Sequence, residues 1–251
     1  MNEKNRATPF CIKLADTVIR IEPMFDSVRE YCREYITEEE ASFTVRVEPE
    51  DLIFERERSV REAEREGRDG GMYSDAYLET LAVYRQIAEQ FPLKNTVLFH
   101  GSVIAVDGNG YLFTAKSGTG KSTHTKLWRE QFGSRAVMVN DDKPLLKVSD
   151  SGVIAYGTPW DGKHRLSTNI AVPLKAICVL TRSEENHIEE IQPLAAYQML
   201  LQQTYRPMDK LAMAQTMKLM DTLMKNTKFY KLGCNMSPEA ARVAFEGMAQ
   251  E

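Results

Sequence analysis

Cysteine is scarce: the 251 residues hold four, Cys11, Cys32, Cys178 and Cys234, far apart and with no C-x-x-C pair. That spacing argues against a disulfide framework or a zinc site and points to a reducing, cytoplasmic setting. Long apolar runs are missing too. No stretch approaches the roughly 20 residues that span a bilayer, and the start, MNEKNRATPF, lacks the apolar core of a secretory signal. There is no basic surplus: 32 Lys+Arg stand against 36 Asp+Glu, a formal net charge of −4, where a dedicated nucleic-acid binder would usually be basic. Repeats and low-complexity segments are likewise absent. The 43% of hydrophobic residues belongs to an ordinary globular chain with a core of its own, with neither membrane nor nucleic acid as its expected partner.

The pattern of apolar residues divides the chain near residue 95. Residues 1–95 read as a small α+β region with connecting helices. Ile12–Ile21 and Phe43–Val47 alternate as strands, and Ser27–Ile36 has helical spacing. Phe54–Arg68 is dense in charge and reads as a solvated, partly helical surface, broken by Gly70 and Gly71. Ser74–Gln90 reads as an amphipathic helix with Ser74 as N-cap, ended by Phe91-Pro92. Residues 96–251 change character. Val97–Phe99 is a short strand. Val103–Val106 and Tyr111–Thr114 flank Asp107-Gly108-Asn109-Gly110, a hairpin signal because Asn and Gly accept positive φ. Thr123–Gln131 reads as a helix and Ala136–Val139 as a strand. Leu145–Val148 and Val153–Tyr156 pair around Asp150-Ser151-Gly152, and Ala176–Leu180 is apolar throughout, as in a sheet covered on both faces. From Leu194 the tail reads as helical, with Met213, Met217, Met220 and Met224 on one packing stripe.

Chemistry concentrates at Ala115-Lys116-Ser117-Gly118-Thr119-Gly120-Lys121-Ser122, which satisfies G-x-x-x-x-G-K-[ST] except that Ala115 replaces the first Gly. A strand leads in and a helix opens at about Lys121, the context in which loop amides and the helix dipole cradle phosphate. Ser117, Gly118, Thr119, Gly120, Lys121, Ser122 and Thr123 are therefore the candidate nucleotide-binding residues, with Lys121 reaching the β- and γ-phosphates and Ser122 ligating Mg²⁺. Asp141 and Asp142 end an apolar strand 20 and 21 positions after Lys121. If that strand neighbours the one leading into the loop, one carboxylate can hold Mg²⁺ while the other takes a proton from an attacking hydroxyl. Two acids so close should not both titrate normally, which suits a base held near neutrality. His100, in Phe99-His100-Gly101, stands 21 positions before Lys121, on the strand that feeds the hairpin. Past Tyr156, the turn-rich segment Gly157–Asn169 holds Lys163 and Arg165 around His164. It reads as a mobile loop in which Arg165 or Lys163 neutralises charge on a transferred phosphoryl group. Trp160 reads as packing, His124 and Lys126 as surface or packing, and His187 as part of a polar turn.

His-Gly, a hairpin, a loop reading Ser-Gly-x-Gly-Lys-Ser and a strand ending Asp-Asp, in that order, resemble the catalytic domain of HPr kinase/phosphorylase over roughly Thr96 to Leu180, and more nearly the HPr kinase-related proteins of bacteria. The resemblance implies an α/β fold: a mixed, phosphate-loop-bearing sheet of the HPr kinase/phosphoenolpyruvate carboxykinase type, with a small N-terminal α+β segment and C-terminal helices. It implies a kinase using ATP (or ADP) and Mg²⁺ on a hydroxyl of a small molecule, peptide or protein serine, and a homo-oligomer. On it, Lys121 and Ser122 are nucleotide and metal residues, Asp141 and Asp142 supply metal ligand and acid/base, and His100 lies near the transferred phosphate. Thr123 stands where HPr kinases carry Glu. An adenylylsulfate-kinase-type enzyme and a non-catalytic nucleotide sensor are the alternatives; the first would show Asp-Gly-Asp in place of Asn140-Asp141-Asp142.

Overall fold

In the computed structural model, residues 6–65, 67, 73–116, 118–162 and 164–250 are described. Gly70, Gly71, Ser117 and Lys163, all named from the sequence, lie outside them. The chain divides into two compact units, Met1–Gln90 and Phe91–Glu251.

The first unit holds β1 (Phe10–Leu14), β2 (Thr17–Glu22), α1 (Ser27–Tyr31), β3 (Ile36–Thr37), β4 (Phe43–Arg46), α2 (Pro49–Arg65) and α3 (Asp75–Gln90). Its sheet runs β3-β1-β2-β4, with β2 and β4 parallel and the other pairs antiparallel. The run Ile12–Ile21, expected as one strand, is a hairpin. Ala15 and Asp16 take φ of 46° and 60°, a two-residue turn that propensity alone disfavours for Ala. The helix expected over Ser27–Ile36 stops at Tyr31, passes through a 3₁₀ turn at Arg33–Tyr35 and enters β3. Ser74 Oγ accepts from the Tyr77 amide at 3.3 Å, the expected N-cap of α3. Charge-rich α2 is solvated on one side only. On the other, buried Glu55 and Asp51 (Oδ1–Nη2 2.6 Å) pair with Arg85 of α3. Glu79 of α3 is fully buried and accepts from the amides of Met24 and Phe25; burial raises its carboxyl above the usual range.

The second unit is a nine-stranded mixed sheet with helices on both faces. Its elements are β5 (Thr96–Leu98), β6 (Ser102–Val106), β7 (Asn109–Thr114), α4 (Lys121–Phe132), β8 (Ala136–Asn140), β9 (Leu145–Ser149), β10 (Gly152–Tyr156), β11 (Ala171–Arg182), β12 (His187–Glu190), α5 (Pro193–Gln203), α6 (Lys210–Asn226), β13 (Lys228–Cys234) and α7 (Glu239–Met248). The order is β5-β9-β10-β11-β7-β6-β8, with β13 parallel to the later part of β11 and β12 antiparallel to β13. Two expectations change here. The tail is not purely helical, since β13 lies between α6 and α7, and the polar segment at His187 belongs to β12. Alternate residues serve opposite faces. Val103, Leu112, Ile177 and Phe229 pack with α5 and α6 residues such as Leu200 and Leu219, while Ile104, Phe113, Cys178 and Leu232 pack with Trp128 of α4 and Ala241 and Ala244 of α7. Burial on both sides explains the unbroken apolar strand seen in the sequence. Of the methionine stripe Met220 is fully buried, and Met213, Met217 and Met224 flank it half-buried.

The β6–β7 turn is tighter than the four-residue signal suggested: Val106 pairs with Asn109, so Asp107 and Gly108 (φ 51° and 81°) make a two-residue loop. On the α4 face, Trp128 packs against Tyr111, Phe113, Phe132 and Phe245, and its indole Nε1 donates to His124 Nε2 at 3.0 Å. His124 is buried, and burial lowers its pKa to about 4. The unfolded chain then holds a proton that the folded one refuses between about pH 6.5 and 4, so stability falls with pH across that window by a total of roughly 3 kcal/mol. His124→Phe should flatten the profile by about 2 kcal/mol between pH 6.5 and 4.5. Urea unfolding followed by tryptophan fluorescence checks this, since both tryptophans, Trp128 and Trp160, lie in this unit. Parallel profiles for the two proteins would refute it.

Candidate functional site

Strand order overturns one expectation. The strand leading into the loop, β7, and the strand ending in Asn140-Asp141-Asp142, β8, are not neighbours, because β6 lies between them. They meet at one edge all the same. β6 is antiparallel to both, so its start lies beside the ends of both: Ser102 pairs with Phe113, and Val103 with Asn140. His100 and Gly101, just before β6, thus sit between loop and doublet. Gly101 is closely packed, since a Cβ there would lie 3.0 Å from the Phe113 carbonyl oxygen. Its amide donates to the Asp142 carbonyl at 3.0 Å, and Ser102 Oγ donates to the Asp141 carbonyl at 2.8 Å.

The loop between β7 and α4 turns on Gly118 (φ 76°) and Gly120 (φ 121°), conformations that favour glycine. Ala115 is buried, Lys121 half-buried, and Ser122 and Thr123 stand exposed on the first turn of α4. One loop amide is already engaged: Thr119 N–H donates to the Lys116 carbonyl at 3.2 Å. The Gly118 carbonyl accepts from Arg182 Nη2 at 2.7 Å.

Asn140 organises the opposite side. Fully buried, it accepts the amides of Asp142 (2.9 Å) and Lys143 (2.6 Å) at Oδ1, forming the turn that presents the doublet. Its Nδ2 donates to the Thr158 carbonyl (3.1 Å), Thr158 Oγ1 (3.0 Å) and the Trp160 carbonyl (3.4 Å). The segment read as a mobile loop is therefore tied down in its first half. Trp160 is buried, and the Gly162 amide donates to Asp141 Oδ1 at 2.6 Å. A Cβ on Gly157 would lie 1.9 Å from the Thr168 carbonyl oxygen, so that approach needs glycine, and one on Gly162 would press on the Asp141 carboxylate at 2.8 Å.

The two carboxylates diverge. Asp141 is 5% exposed, and burial, with Asp161 and Asp142 nearby, pushes its pKa up against the pull of the Gly162 amide. Burial also pushes Asp142 up, but the hydrogen bond from His100 (Nε2–Oδ1 3.3 Å) and the charges of Lys143, His100 and Lys121 outweigh it and hold the group below the ordinary range. The doublet thus splits in opposite directions, Asp141 upward and Asp142 downward. Arg165 (φ 53°) reaches Asp161 Oδ1 at 3.1 Å, and Ser167 Oγ donates to Asp161 Oδ2 at 2.9 Å. The Asp161 side chain is only 4% exposed, and burial raises its pKa. Sequence reading missed both Asn140 and Asp161. The Asn before an acidic doublet at a strand end was the usable signal for the first, through its preference for closing turns; Asp161 had none beyond its place in a turn-rich loop.

Set beside known proteins, residues 75–237 match the model of one family, the SynChlorMet cassette protein ScmC. The chain belongs to the ScmC family. No curated protein matches it. Among solved structures it is similar to the Hpr(Ser) kinase/phosphatase from Coxiella burnetii, with 15% identity over 51% of this chain and 94% of that one and a TM-score of 0.30. A likeness at that score decides nothing about the chemistry of this chain. The ScmC match takes in the loop, His100, Asn140, the doublet, Asp161 and Arg182, so the residues brought to this edge all fall within the family's shared segment.

Asn140→Ala would leave the Asp142 and Lys143 amides and the Thr158 hydroxyl to find new partners. It should lower stability by about 2–4 kcal/mol in urea unfolding. A loss under about 0.5 kcal/mol would show that Asn140 does not organise the site.

Proposed function

We propose that this ScmC-family protein is a Mg²⁺-dependent kinase that moves the terminal phosphoryl group of ATP to a hydroxyl. The observation that carries the reading is the placement of Asp142. It is ionised between His100 and Lys121, groups drawn from three separate segments, and Lys121 opens a helix behind a glycine turn of the Ser-Gly-x-Gly-Lys-Ser type. A loop of that sequence binds polyphosphate through its amides, its lysine and the helix dipole.

In this reading Lys121 binds the β- and γ-phosphates, and the exposed hydroxyls of Ser122 and Thr123 face them. The acceptor hydroxyl lies against Asp142, which is 30% exposed while Asp141 is buried. As its oxygen bonds to the γ-phosphorus, the bond from that phosphorus to the bridging oxygen breaks and ADP leaves. The hydroxyl proton passes to Asp142, which His100 orients. Phosphoryl transfer has a loose transition state and asks mainly for position and charge, so an acid of low pKa suffices as acceptor.

The donor set fits magnesium. Among the described residues no three His, Cys, Asp or Glu side chains are grouped to hold a metal ion. Mg²⁺ commonly takes one or two protein oxygens and completes its shell with phosphates and water. Ser122 Oγ, exposed on the first turn of α4, would be one of those oxygens. The ion would neutralise charge on the β- and γ-phosphates. Arg165 would add positive charge beside the transferred group only on leaving Asp161, which neutralises it here.

The test is transfer from γ-labelled ATP into small-molecule and protein fractions of host extract, with Asp142→Asn as the control. Transfer should fall about 10²- to 10⁴-fold in the variant while ATP affinity stays within a few-fold. Tight nucleotide binding with no labelled product in either fraction would favour a nucleotide sensor, and equal labelling by the variant would remove Asp142 from the mechanism.

A further inference from the structure

β11 runs parallel to β7, and their register ends at Val179 against Thr114. β11 then continues for three residues beside the loop, held on its other edge by β13, with Arg182 opposite Cys234. Its last side chain, Arg182, is exposed at the carboxyl ends of two parallel strands, the edge at which α/β sheets bind their ligands. Its guanidinium touches the loop directly, through Nη2 to the Gly118 carbonyl at 2.7 Å.

Several other arginines of the fold are neutralised, though among the described residues Arg29, Arg129 and Arg206 are not and do not bond the loop. Arg85 lies on Asp51 and Glu55, and Arg165 on Asp161; Arg135 and Arg242 likewise lie on Asp107 and on Glu239 and Glu246. Among the described residues Arg182 has no acidic partner. A guanidinium offers five donors in a planar fork, and the Gly118 carbonyl takes one. An arginine anchored to a carbonyl of the loop and facing no carboxylate is a site for an anion.

We infer that Arg182 is a second cationic phosphate-binding residue. It fixes the loop at Gly118 and contacts the polyphosphate of the nucleotide from the side opposite the His100–Asp142 pair. The inference rests on the proposed nucleotide binding and extends it. Lys121 acts as a point charge from the helix side, whereas Arg182 supplies a directional fork from the sheet side. Its ligand class is the di- or triphosphate group itself, so inorganic pyrophosphate should compete for it.

The experiment measures Kd for Mg-ATP and for inorganic pyrophosphate by calorimetry with the full chain, its Arg182→Gln and Arg182→Lys variants. Glutamine keeps a donor for Gly118 but lacks the charge. It should weaken both ligands about tenfold, with lysine recovering part of the loss and the thermal midpoints unchanged. Pyrophosphate binding within twofold of wild type in Arg182→Gln would overturn the inference while leaving the kinase reading intact. A loss that lysine does not relieve, accompanied by a lower thermal midpoint, would also overturn it, because Arg182 would then act only on the loop's structure. Failure of the wild-type protein to bind either ligand would overturn the nucleotide reading and this inference together.

Discussion

The candidate site depends on one buried side-chain amide. Asn140 ends β8 with no exposure, and an amide in that position must find partners for both its ends. Its carbonyl oxygen takes two successive amides and so fixes the turn carrying Asp141 and Asp142; its nitrogen reaches three oxygens at Thr158 and Trp160 and so fixes the loop after β10. Thr158 closes the arrangement by donating Oγ1 to the Lys143 carbonyl at 2.9 Å. With the loop held there, the Gly162 amide falls on Asp141. An aspartate at position 140 would offer only acceptors when ionised and could not donate to the loop, so the doublet and its covering segment would lose their common tie.

That tie also explains why two adjacent acids acquire opposite character. The turn after β8, closed by Asn140, sends the two side chains to different sides. Asp141 turns inward, toward Gly162 and Asp161, where burial dominates; Asp142 turns toward His100 and Lys121, where positive charge dominates. Proximity alone says only that the two should not both titrate normally. Direction decides which way each one moves, and direction follows from the Asn140 turn. One carboxylate is made costly to ionise and the other is kept ionised, a separation of environments by which neighbouring acids take different chemical roles.

Local pattern carried most of the second unit's elements. The double-faced apolar runs at Val103–Val106 and Ala176–Leu180, the Asp107-Gly108 turn, and the strand, loop and helix around Lys121 were all legible, because each is written in neighbouring residues. The strand order was not. Nothing local in Tyr111–Thr114 or Ala136–Asn140 says that β6 lies between them, since pairing is a long-range choice made by packing on both faces. β13 is hard to read for a related reason: Lys228–Cys234 is short, mixes lysine with apolar residues, and follows directly on a long helix. In the first unit the turn at Ala15-Asp16 was hidden because alanine is a poor advertisement for positive φ. Asp161 could not be read at all, as its value to the site comes from Arg165, Ser167 and its charged neighbours and not from a motif.

The intervening strand has a functional consequence. Two strand spacings, about 9.6 Å, separate the ends of β7 and β8, so the loop and the acidic doublet face each other across a gap instead of touching. His100, at the head of β6, stands in that gap with 42% of its side chain exposed and bonds the doublet's outer carboxylate. A phosphate held on the loop side would approach Asp142 from across the gap, with the half-buried Lys121 already close enough to lower that acid's pKa. β6 therefore supplies both the histidine and the spacing between loop and doublet.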